Sequence, residues 1–252
     1  MEKITAIIPV GNEIHNIEAA ITSVDFADEI IVVDSFSTDG TYEKAISSGV
    51  KVLQRVFDYP AAQKNWAIPQ ASHQWIFLLD ADERVTEDLR QEIQELLKNP
   101  SEDGPVGFWI GRMNHFMGKR VNYSGWRNDK VIRLFKRDFC RYEDKHVHEE
   151  IIANGTVGNL TQKLYNNTYV SLDHYLEKMN RYATWQDKDY DKKTGRLTPY
   201  HFVVKPFWGF FKHYIVQSGF RDGVVGLTIG YIQAYVVFMR YAKLWLLRRG
   251  RD

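Results

Sequence analysis

The stretch WIFLLDADE, residues 75–83, places five apolar residues directly before an acidic turn. A continuous apolar run is typical of a central strand in a parallel sheet, which is buried on both faces. Open α/β sheets bind ligands in the crevice beyond the carboxyl ends of their strands. Asp80 and Asp82 therefore fall where two close carboxylates favour a divalent cation, completed by the phosphates of a substrate. Acidic pairs are also common in ordinary turns, and the motif alone does not decide between these interpretations.

The sequence on either side of this strand alternates between apolar runs and helical patterns. Strands are predicted at residues 4–10, 30–33 and 51–56 and a helix at 61–71, and Thr86 is suited to cap the next helix. Alternation of this kind predicts an α/β fold with a mostly parallel central sheet and helices on both faces.

After residue 99 the sequence becomes aromatic, basic and less periodic. It predicts strands at 108–113 and 131–135 and a helix at 174–185. The last segment, residues 200–252, is predicted to be helical and contains thirteen aromatic residues. The predicted division is a catalytic domain at 1–199, with a nucleotide-binding half at 1–110 and an acceptor half at 111–199, followed by the helical segment 200–252.

Charge is unevenly distributed along the chain. Residues 200–252 carry eight Lys and Arg against two Asp, so the first 199 residues hold a net charge of −5 within the total of +1. A basic, aromatic segment is suited to an anionic membrane surface. Packing on the core is one alternative, and a membrane span is another, although the uncharged run 223–239 is shorter than the ~20 residues that cross a bilayer. No nucleic-acid-binding motif accompanies the segment, so no nucleic acid partner is expected.

Two further features concern the compartment. The single cysteine, Cys140, excludes an internal disulfide and fits a reducing environment. The first residues lead directly into a strand without a charged and apolar leader, which predicts no signal peptide and a cytoplasmic protein.

Three acid-bearing turns follow strands of the same predicted sheet. Glu13 follows the first strand, Asp34 and Asp39 the second, and Asp80 with Asp82 the fourth. Because parallel strands end at one edge of a sheet, these side chains are expected to meet around one ligand. No Gly-x-Gly-x-x-Gly turn follows the first strand and no Gly-Lys-Ser/Thr loop is present. The metal and Lys64 are therefore expected to hold the phosphates.

Four motifs, taken in order, resemble those of the family 2 glycosyltransferases, which have the nucleotide-sugar-binding GT-A fold. One position differs, since many members have a second Asp where this chain has Ser35. The four motifs are IPVGNE (8–13), VDSFSTDGT (33–41), QKN (63–65) and LLDADE (78–83).

The resemblance implies roles for individual residues. Glu13 and Asp34 are implied to hold the uracil or ribose, and Lys64 the uridine or phosphate. Asp82 and Asp80 are implied ligands of Mg²⁺ or Mn²⁺, and Asp80 would also face the ribose or sugar. The implied nucleotide site consists of Pro9, Glu13, Asp34, Lys64, Asp80 and Ala81.

The second half narrows the resemblance to a bacterial branch that includes lipopolysaccharide core glucosyltransferases. The motifs are WRNDKVIRLF (126–135), HVHE (146–149) and KMNRY (178–182). They imply transfer of a hexose, with UDP-glucose as the expected donor, to a sugar of the lipopolysaccharide inner core. Trp126, Arg127 and His148 are the expected acceptor-binding residues, although Trp126 and Arg127 could instead pack within the domain.

An inverting transfer needs a base that takes the proton of the acceptor hydroxyl. Glu149 is the preferred candidate. Asp144 is the second, because Glu143-Asp144 imitates an acidic pair that other branches of the family use. Glu150 is less favoured.

Other residues have simpler interpretations. Asp39 could be a turn residue or helix cap, and Lys64 could be a solvated charge on a helix. His146 and His148 lie two positions apart, on one face if the segment is a strand, where they could bind metal or make structural hydrogen bonds.

The predicted function is a metal-dependent, inverting hexosyltransferase that lies peripherally on the cytoplasmic face of the inner membrane, where a lipid-linked acceptor is found. Two other classes stay open. A nucleotidyltransferase would also use acidic metal ligands on an α/β sheet and would release pyrophosphate from a nucleoside triphosphate. A non-catalytic membrane scaffold would bind UDP and transfer nothing.

Overall fold

Four parallel strands form one half of the central sheet. They are β1 (Ile4–Val10), β2 (Glu29–Asp34), β3 (Lys51–Gln54) and β4 (Trp75–Leu78), in the order β3-β2-β1-β4. β4 is buried along its whole length, which explains its uninterrupted apolar sequence. β3 ends two residues before the predicted 51–56, and its central residues are only half-buried.

Helices connect these strands: α1 (Ile17–Ser23), α2 (Thr41–Ser47), α3 (Pro60–Ala67) and α4 (Glu87–Lys98). α4 begins as predicted, because the Thr86 hydroxyl accepts a hydrogen bond from the Leu89 N–H at 3.3 Å. The helix predicted at 61–71 is shorter. Its last part is a 3₁₀ turn, Ile68–Gln70, which contains Pro69 and so lacks one backbone donor.

Antiparallel strands complete the sheet, and the predicted strands 108–113 and 131–135 lie within two of them. Among the described residues the sheet runs β3-β2-β1-β4-β8-β6-β11-β5 with β7 beside β6, and β9 with β10 forms a separate pair. The strands are β5 (Glu83–Arg84), β6 (Gly107–Phe116), β7 (Lys119–Arg120), β8 (Lys130–Lys136), β9 (Cys140–Tyr142), β10 (Ile151–Ala153) and β11 (Val157–Tyr169).

The sheet separates two apolar cores, because successive side chains of a strand point to opposite faces. Ile8 of β1 packs in a core that also contains residues of α1 and α4. Ile7, its neighbour, packs in a second core with residues of α3. The predicted α/β architecture, a mostly parallel sheet covered on both faces, is confirmed for the strands β1 to β4, and antiparallel strands extend it.

The computed structural model describes residues 1–99, 104–144, 150–169, 171–173, 175–176, 179, 191 and 194–250. The chain forms two compact units, the first made of Met1–Met113 and Lys130–Asn166, the second of Asn114–Asp129 and Asn167–Asp252. The functional division predicted at residues 110 and 199 stays a prediction, because compactness does not show which part binds which substrate. Most of the helix predicted at 174–185 lies outside the described residues.

The C-terminal segment is helical, as predicted. It contains α5 (Pro199–Phe202), α6 (Val204–Phe211) and α7 (Val224–Leu247), with a π-helical turn at Lys212–Val216 and a 3₁₀ turn at Gly219–Asp222. α7 has 24 residues and is long and apolar enough to cross a membrane by length and composition. That is weak support for a span, since one-third of its most apolar window is buried in the protein.

The contact between α7 and the preceding 3₁₀ turn yields a test of the fold. A Cβ added at Gly226 would lie 1.8 Å from the Gly219 carbonyl oxygen, so the two segments would have to separate. We expect Gly226→Ala to destabilise the protein by about 1–2 kcal/mol, because overpacking of about 2–3 kcal/mol exceeds the gain of about 1 kcal/mol in helix propensity. Thermal and urea unfolding measure this. Gly195→Ala is the control, since nothing lies within 4 Å of its added Cβ, and equal stability of the two variants would contradict the packing.

Candidate active site

The parallel strands bring the predicted acidic residues to one edge of the sheet. Val10 of β1 pairs in register with Asp34 of β2, and Ile7 pairs with Leu78 of β4. The chain leaves all three strands at their carboxyl ends on the same side. The turns carrying Glu13, Asp34, Asp80 and Asp82 therefore share this carboxyl edge, although the roles of the individual residues stay predictions.

Hydrogen bonds join the turns that follow β1 and β2. The Asn12 N–H donates to Ser37 Oγ at 2.9 Å, and the Thr38 N–H donates to Asn12 Oδ1 at 2.8 Å. The Glu13 N–H donates to Thr41 Oγ1 at 2.8 Å. The backbone at Asn12 is left-handed, with φ of 58°, a conformation that Asn adopts more readily than most residues. These bonds hold Glu13 beside the turn that begins at Asp34.

Asp39 belongs to the same set of turn contacts. Its carboxylate accepts hydrogen bonds from the backbone N–H groups of Ile14 and Thr41, each at 3.0 Å. Burial raises the pKa of Asp39, but the bonds from Thr41 and Ile14 outweigh burial and leave that pKa below its ordinary value. The structure thus gives Asp39 the turn role that was the simpler of its two interpretations.

Asp34 is fully buried at the end of β2. Its carboxylate accepts hydrogen bonds from the Ser37 N–H at 3.1 Å and from Gln54 Nε2 at 3.1 Å. Gln54 lies opposite Asp34 in the register of β2 and β3. A buried carboxylate oriented by neutral donors keeps further lone pairs for a ligand, because its two oxygens together offer about four acceptor sites.

The QKN motif lies in the middle of α3 and contacts the end of β2 and Tyr142 of β9. Gln63 Nε2 donates to the Val33 carbonyl at 3.2 Å and to Ser35 Oγ at 2.7 Å. Asn65 exchanges two hydrogen bonds with the backbone of Tyr142, at 2.9 and 2.8 Å. Lys64 is buried, and its Nζ lies 5.0 Å from the centroid of the Tyr142 ring. Lys64 is therefore not a solvated helix charge.

A buried network of charges surrounds the acidic turn after β4. Asp80 lies between Lys64 Nζ, at 3.4 Å, and the guanidinium of Arg133, which donates to its Oδ2. The same guanidinium donates to Glu83 Oε1 at 2.8 Å, and Arg112 lies 3.5 Å from Glu83. Glu83 and Arg133 are only 1% and 3% exposed. Cations and carboxylates thus alternate from this buried pair to Asp80 and Arg112, whose side chains are 33% and 24% exposed.

The network shifts the pKa values of its two carboxyl groups in opposite directions. Burial raises the pKa of Asp80, but Arg133 and Lys64 outweigh it and hold that pKa well below its usual range. Burial also raises the pKa of Glu83, and Asp80 adds to the increase against the opposing Arg133, so the pKa of Glu83 lies above its usual range. Asp80 therefore carries the firmer negative charge.

Sequence reasoning missed Arg133 and Glu83 as parts of this site. Arg133 interrupts the apolar run of β8 with a charged residue whose neighbours in the strand are buried. A buried arginine requires an acidic partner, and that requirement is the signal that could have linked β8 to the DADE turn.

Arg84 connects the turn after β4 to the turn after β1. Its guanidinium donates to the Ala81 carbonyl at 2.6 Å and to the Asn16 carbonyl at 3.1 Å, and Asn16 Nδ2 donates to Glu13 Oε2 at 2.8 Å. Burial lowers the pKa of Arg84, and the charges of Asp82 and Glu13 oppose that shift. Asp82 and Glu13 therefore act on the same cation.

The remaining predicted residues have varied surroundings. Pro9 lies in β1 opposite Val33, and Ala81 is buried. Asp144 accepts a hydrogen bond from the Tyr59 hydroxyl, which raises the pKa of Tyr59. The predicted base and acceptor residues of the HVHE motif, His146, His148 and Glu149, lie outside the described residues.

Trp126 and Arg127 lie in the second unit. The Trp126 ring packs with the cluster of Phe116 and Val121, and its centroid is 6.3 Å from that of Phe116. Arg127 is exposed, with its guanidinium 5.9 Å from the centroid of the Tyr123 ring. Trp126 thus has a packing role, and the acceptor role of both residues stays a prediction.

A sheet of this topology, with acidic side chains at the carboxyl edge of its parallel half, belongs to the GT-A class of nucleotide-sugar-binding folds. The model of glycosyl transferase family 2 matches residues 5–151. The chain belongs to this family and is a glycosyltransferase, which confirms the resemblance seen in its motifs. Family membership also decides against a nucleotidyltransferase.

Relatives are similar along nearly the whole chain. The lipopolysaccharide core biosynthesis glycosyltransferase LpsC of Rhizobium meliloti (strain 1021) is 30% identical over 249 residues, which cover 96% of this chain and 92% of LpsC. An uncharacterized glycosyltransferase of Rickettsia felis is 29% identical over 254 residues, covering 97% and 90%. The structure of S. aureus TarS 1–349 in complex with UDP-GlcNAc superposes with a TM-score of 0.51 at 16% identity, covering 96% of this chain and 92% of that one. This last likeness supports the fold alone.

The buried charge network predicts a large stability effect. Arg133→Met leaves Asp80 and Glu83 without their shared cation, and we expect a loss of about 3–5 kcal/mol, as for other broken buried ion pairs. The pKa of Asp80 is depressed in the folded protein, so its stabilisation is present above the ordinary value of 3.8 and is lost as the pH falls. Without Arg133 both carboxyl groups should have higher pKa values and become protonated as the pH falls. The difference in free energy of unfolding between wild type and variant should therefore decrease from pH 7 towards pH 5.

Urea unfolding over this pH range measures the difference in free energy of unfolding. The control is Arg90→Met, which removes a surface arginine 2.8 Å from Asp25 and should cost only about 0.2–1 kcal/mol. A loss in Arg133→Met no greater than in this control would contradict the network.

Proposed function

We propose that the protein is an inverting hexosyltransferase that moves glucose from UDP-glucose onto a sugar of the lipopolysaccharide inner core. The observation that carries the proposal is the gathering of Glu13, Asp34, Asp80 and Asp82 at one edge of a family 2 glycosyltransferase sheet. The acceptor class is supported by the similarity to LpsC, which is named for lipopolysaccharide core biosynthesis.

Asp34 and Glu13 are the residues we assign to the uridine. Asp34 is buried and held by Gln54 and the Ser37 backbone, so its carboxylate is oriented before a ligand arrives. Hydroxyl and imide N–H groups of a nucleoside are suitable donors to such a carboxylate. Glu13 accepts a hydrogen bond from Asn16 of the same turn and would bind the same nucleoside from the side of β1.

The acidic turn after β4 supplies the ligands that we propose for a divalent cation. Within the described part of the chain, no three His, Cys, Asp or Glu side chains converge on a common metal position. Mg²⁺ and Mn²⁺ sites need not be of that kind, because one or two carboxylates plus substrate phosphates suffice. Asp80 already faces Lys64 and Arg133, so we assign the metal contact first to Asp82 and give Asp80 the supporting position. The bound ion would neutralise charge on the departing diphosphate.

The protein's own side chains then account for the remaining steps. Lys64, which faces Asp80 at the carboxyl edge, would meet the negative charge of the diphosphate. A carboxylate on the acceptor side takes the proton of the attacking hydroxyl as the bond from the anomeric carbon to the nucleotide breaks on the opposite face. We assign this base to Glu149, with Asp144 as the alternative, and Trp126, Arg127 and His148 to the acceptor.

We further propose that the protein acts on the cytoplasmic face of the inner membrane as a peripheral protein. A lipopolysaccharide core acceptor is lipid-linked, so the enzyme must work where lipid and cytoplasmic nucleotide sugar meet. The excess of Lys and Arg in residues 200–252 supports contact with anionic lipid.

Donor binding and metal dependence are tested together. We expect UDP-glucose with Mn²⁺ to stabilise the protein more than UDP-galactose or UDP-GlcNAc does, by about 2.7 kcal/mol at a hundredfold excess over Kd. Asp82→Asn should lower metal-dependent transfer at least about a hundredfold, about 2.7 kcal/mol of transition-state stabilisation. Thermal shift and UDP release are the measurements.

The matched control is Asp88→Asn, which removes the same charge from an exposed position in the first turn of α4. It should transfer at the wild-type rate. Equal shifts with all three donors would refute the glucose assignment, and a wild-type rate of Asp82→Asn in the presence of EDTA would refute the metal role.

The catalytic base is tested by substituting each candidate. Glu149→Gln should lower kcat by about 10²–10⁴ with little change in donor binding, because general-base catalysis contributes about that much. Single-turnover transfer measures the effect, Glu150→Gln tests the less favoured candidate, and Asp88→Asn is again the control. If only Asp144→Asn shows this loss, Asp144 is the base and the preferred assignment is wrong.

A further inference from the structure

The C-terminal segment exposes apolar side chains along one face. We call this face the aromatic stripe, and its members are 44% to 67% exposed: Tyr200, Val203, Val204, Phe207, Trp208 and Ile215. They recur at intervals of three, four and seven residues through α5, α6 and the π-helical turn, which places them on one side of the helical path.

An ordinary surface helix turns its apolar face into the protein, whereas the apolar residues of the stripe point outward. α6 has no buried residue, although it does pack on α7. The ring centroids of Phe210 and Tyr231 are 4.9 Å apart, and Gly209 lets the helices approach, with Val237 3.5 Å from its added Cβ. The opposite side of α6, which carries Phe207 and Trp208, therefore faces solvent. Contiguous exposed apolar surface of this kind marks an interaction site.

Charge indicates which partner fits the stripe. Between residues 200 and 250 the chain has seven Lys and Arg but only one acidic residue, Asp222. Lys212 directly follows α6 and is exposed, and Arg249 lies 4.2 Å from the ring centroid of Trp245 at the end of α7. Exposed aromatic side chains in a segment with an excess of Lys and Arg match an anionic lipid surface, where rings enter the headgroup region and the cations meet phosphates.

The packing of α7 bears on how the segment meets the membrane. Ile229, Ile232 and Val236 of α7 are buried in one cluster with Phe116 and Tyr175 of the same unit. A helix of 24 residues is about 36 Å long and could cross a bilayer, but to do so it would have to pull these side chains out of the cluster. The helix can keep its contacts in this cluster if it lies along the membrane surface.

We propose that the aromatic stripe inserts into the interface of an anionic bilayer, with α6 parallel to the membrane plane and α7 packed behind it without spanning. The inference deepens the proposed function by naming the surface that meets the membrane, and it rests on that function only for the location of the acceptor.

The test uses the purified full chain and vesicles that contain neither nucleotide sugar nor acceptor. We expect sedimentation with vesicles of phosphatidylcholine mixed with phosphatidylglycerol, and much weaker binding to phosphatidylcholine alone. Raising the salt from about 0.1 M to about 1 M should reduce binding, because it shortens the Debye length to about 3 Å. Phe207→Ser combined with Trp208→Ser should lower vesicle partitioning at least about tenfold, and Val203→Ser combined with Val204→Ser should lower it in the same direction.

The matched control is Phe139→Ser combined with Ile152→Ser, which removes two exposed apolar side chains, 41% and 62% exposed, from the first unit. This control should bind vesicles like the wild type. Stripe variants that keep the wild-type melting temperature and still bind vesicles like the wild type would overturn the proposal. So would a self-association of the wild type that the stripe substitutions abolish while vesicle binding is absent, because the stripe would then meet a second copy of the chain.

A second measurement distinguishes the in-plane arrangement from a span. In membranes from cells that produce the full chain, alkaline carbonate should release a protein held in the interface, and retention in the pellet would overturn the arrangement proposed for α7. A protein that does not bind vesicles could still be stabilised by UDP-glucose and still lose transfer on Asp82→Asn. The membrane proposal can therefore be refuted without refuting the proposed function.

Discussion

The guanidinium of Arg133 is the constraint on which the acidic turn depends. It lies between Asp80 and Glu83 with almost no exposure to water, where an unpaired charge of either sign would be strongly destabilising. Arg133 belongs to β8, whereas both carboxylates follow β4. The antiparallel half of the sheet therefore determines how the acidic turn of the parallel half is held.

A second arginine, Arg84, also holds the turn after β4. Arg84 contacts the carbonyls of Ala81 and Asn16, and so joins the turns after β4 and β1. Hydrogen bonds between Asn12, Ser37 and Thr38 join the turns after β1 and β2. Three turns that are far apart in sequence thus form one connected edge, and a ligand that binds there meets side chains already oriented by their neighbours.

The parallel half of the fold could be predicted from sequence because its signals are local. The strands end at Val10, Asp34 and Leu78, each within one residue of the end of its apolar run, and Thr86 caps α4. The antiparallel half could not be ordered in this way, since the pairing of β8 with β4 joins segments more than fifty residues apart. For the site, too, only the local features could be predicted from sequence. Its acidic turns were found from their positions after strands, but the buried cations that hold them depend on contacts that no short motif encodes.

Ser35 illustrates how one departure from a family pattern can be absorbed locally. A second Asp at this position would set another carboxylate next to buried Asp34, and two like charges in a buried setting repel. Here the Ser35 hydroxyl accepts a hydrogen bond from Gln63, whose amide also binds the Val33 carbonyl. The neutral pair fixes the end of β2 without adding charge, so Asp34 is the carboxylate that β2 presents at this edge. The departure therefore leaves one carboxylate at the end of β2, where a second would repel the first.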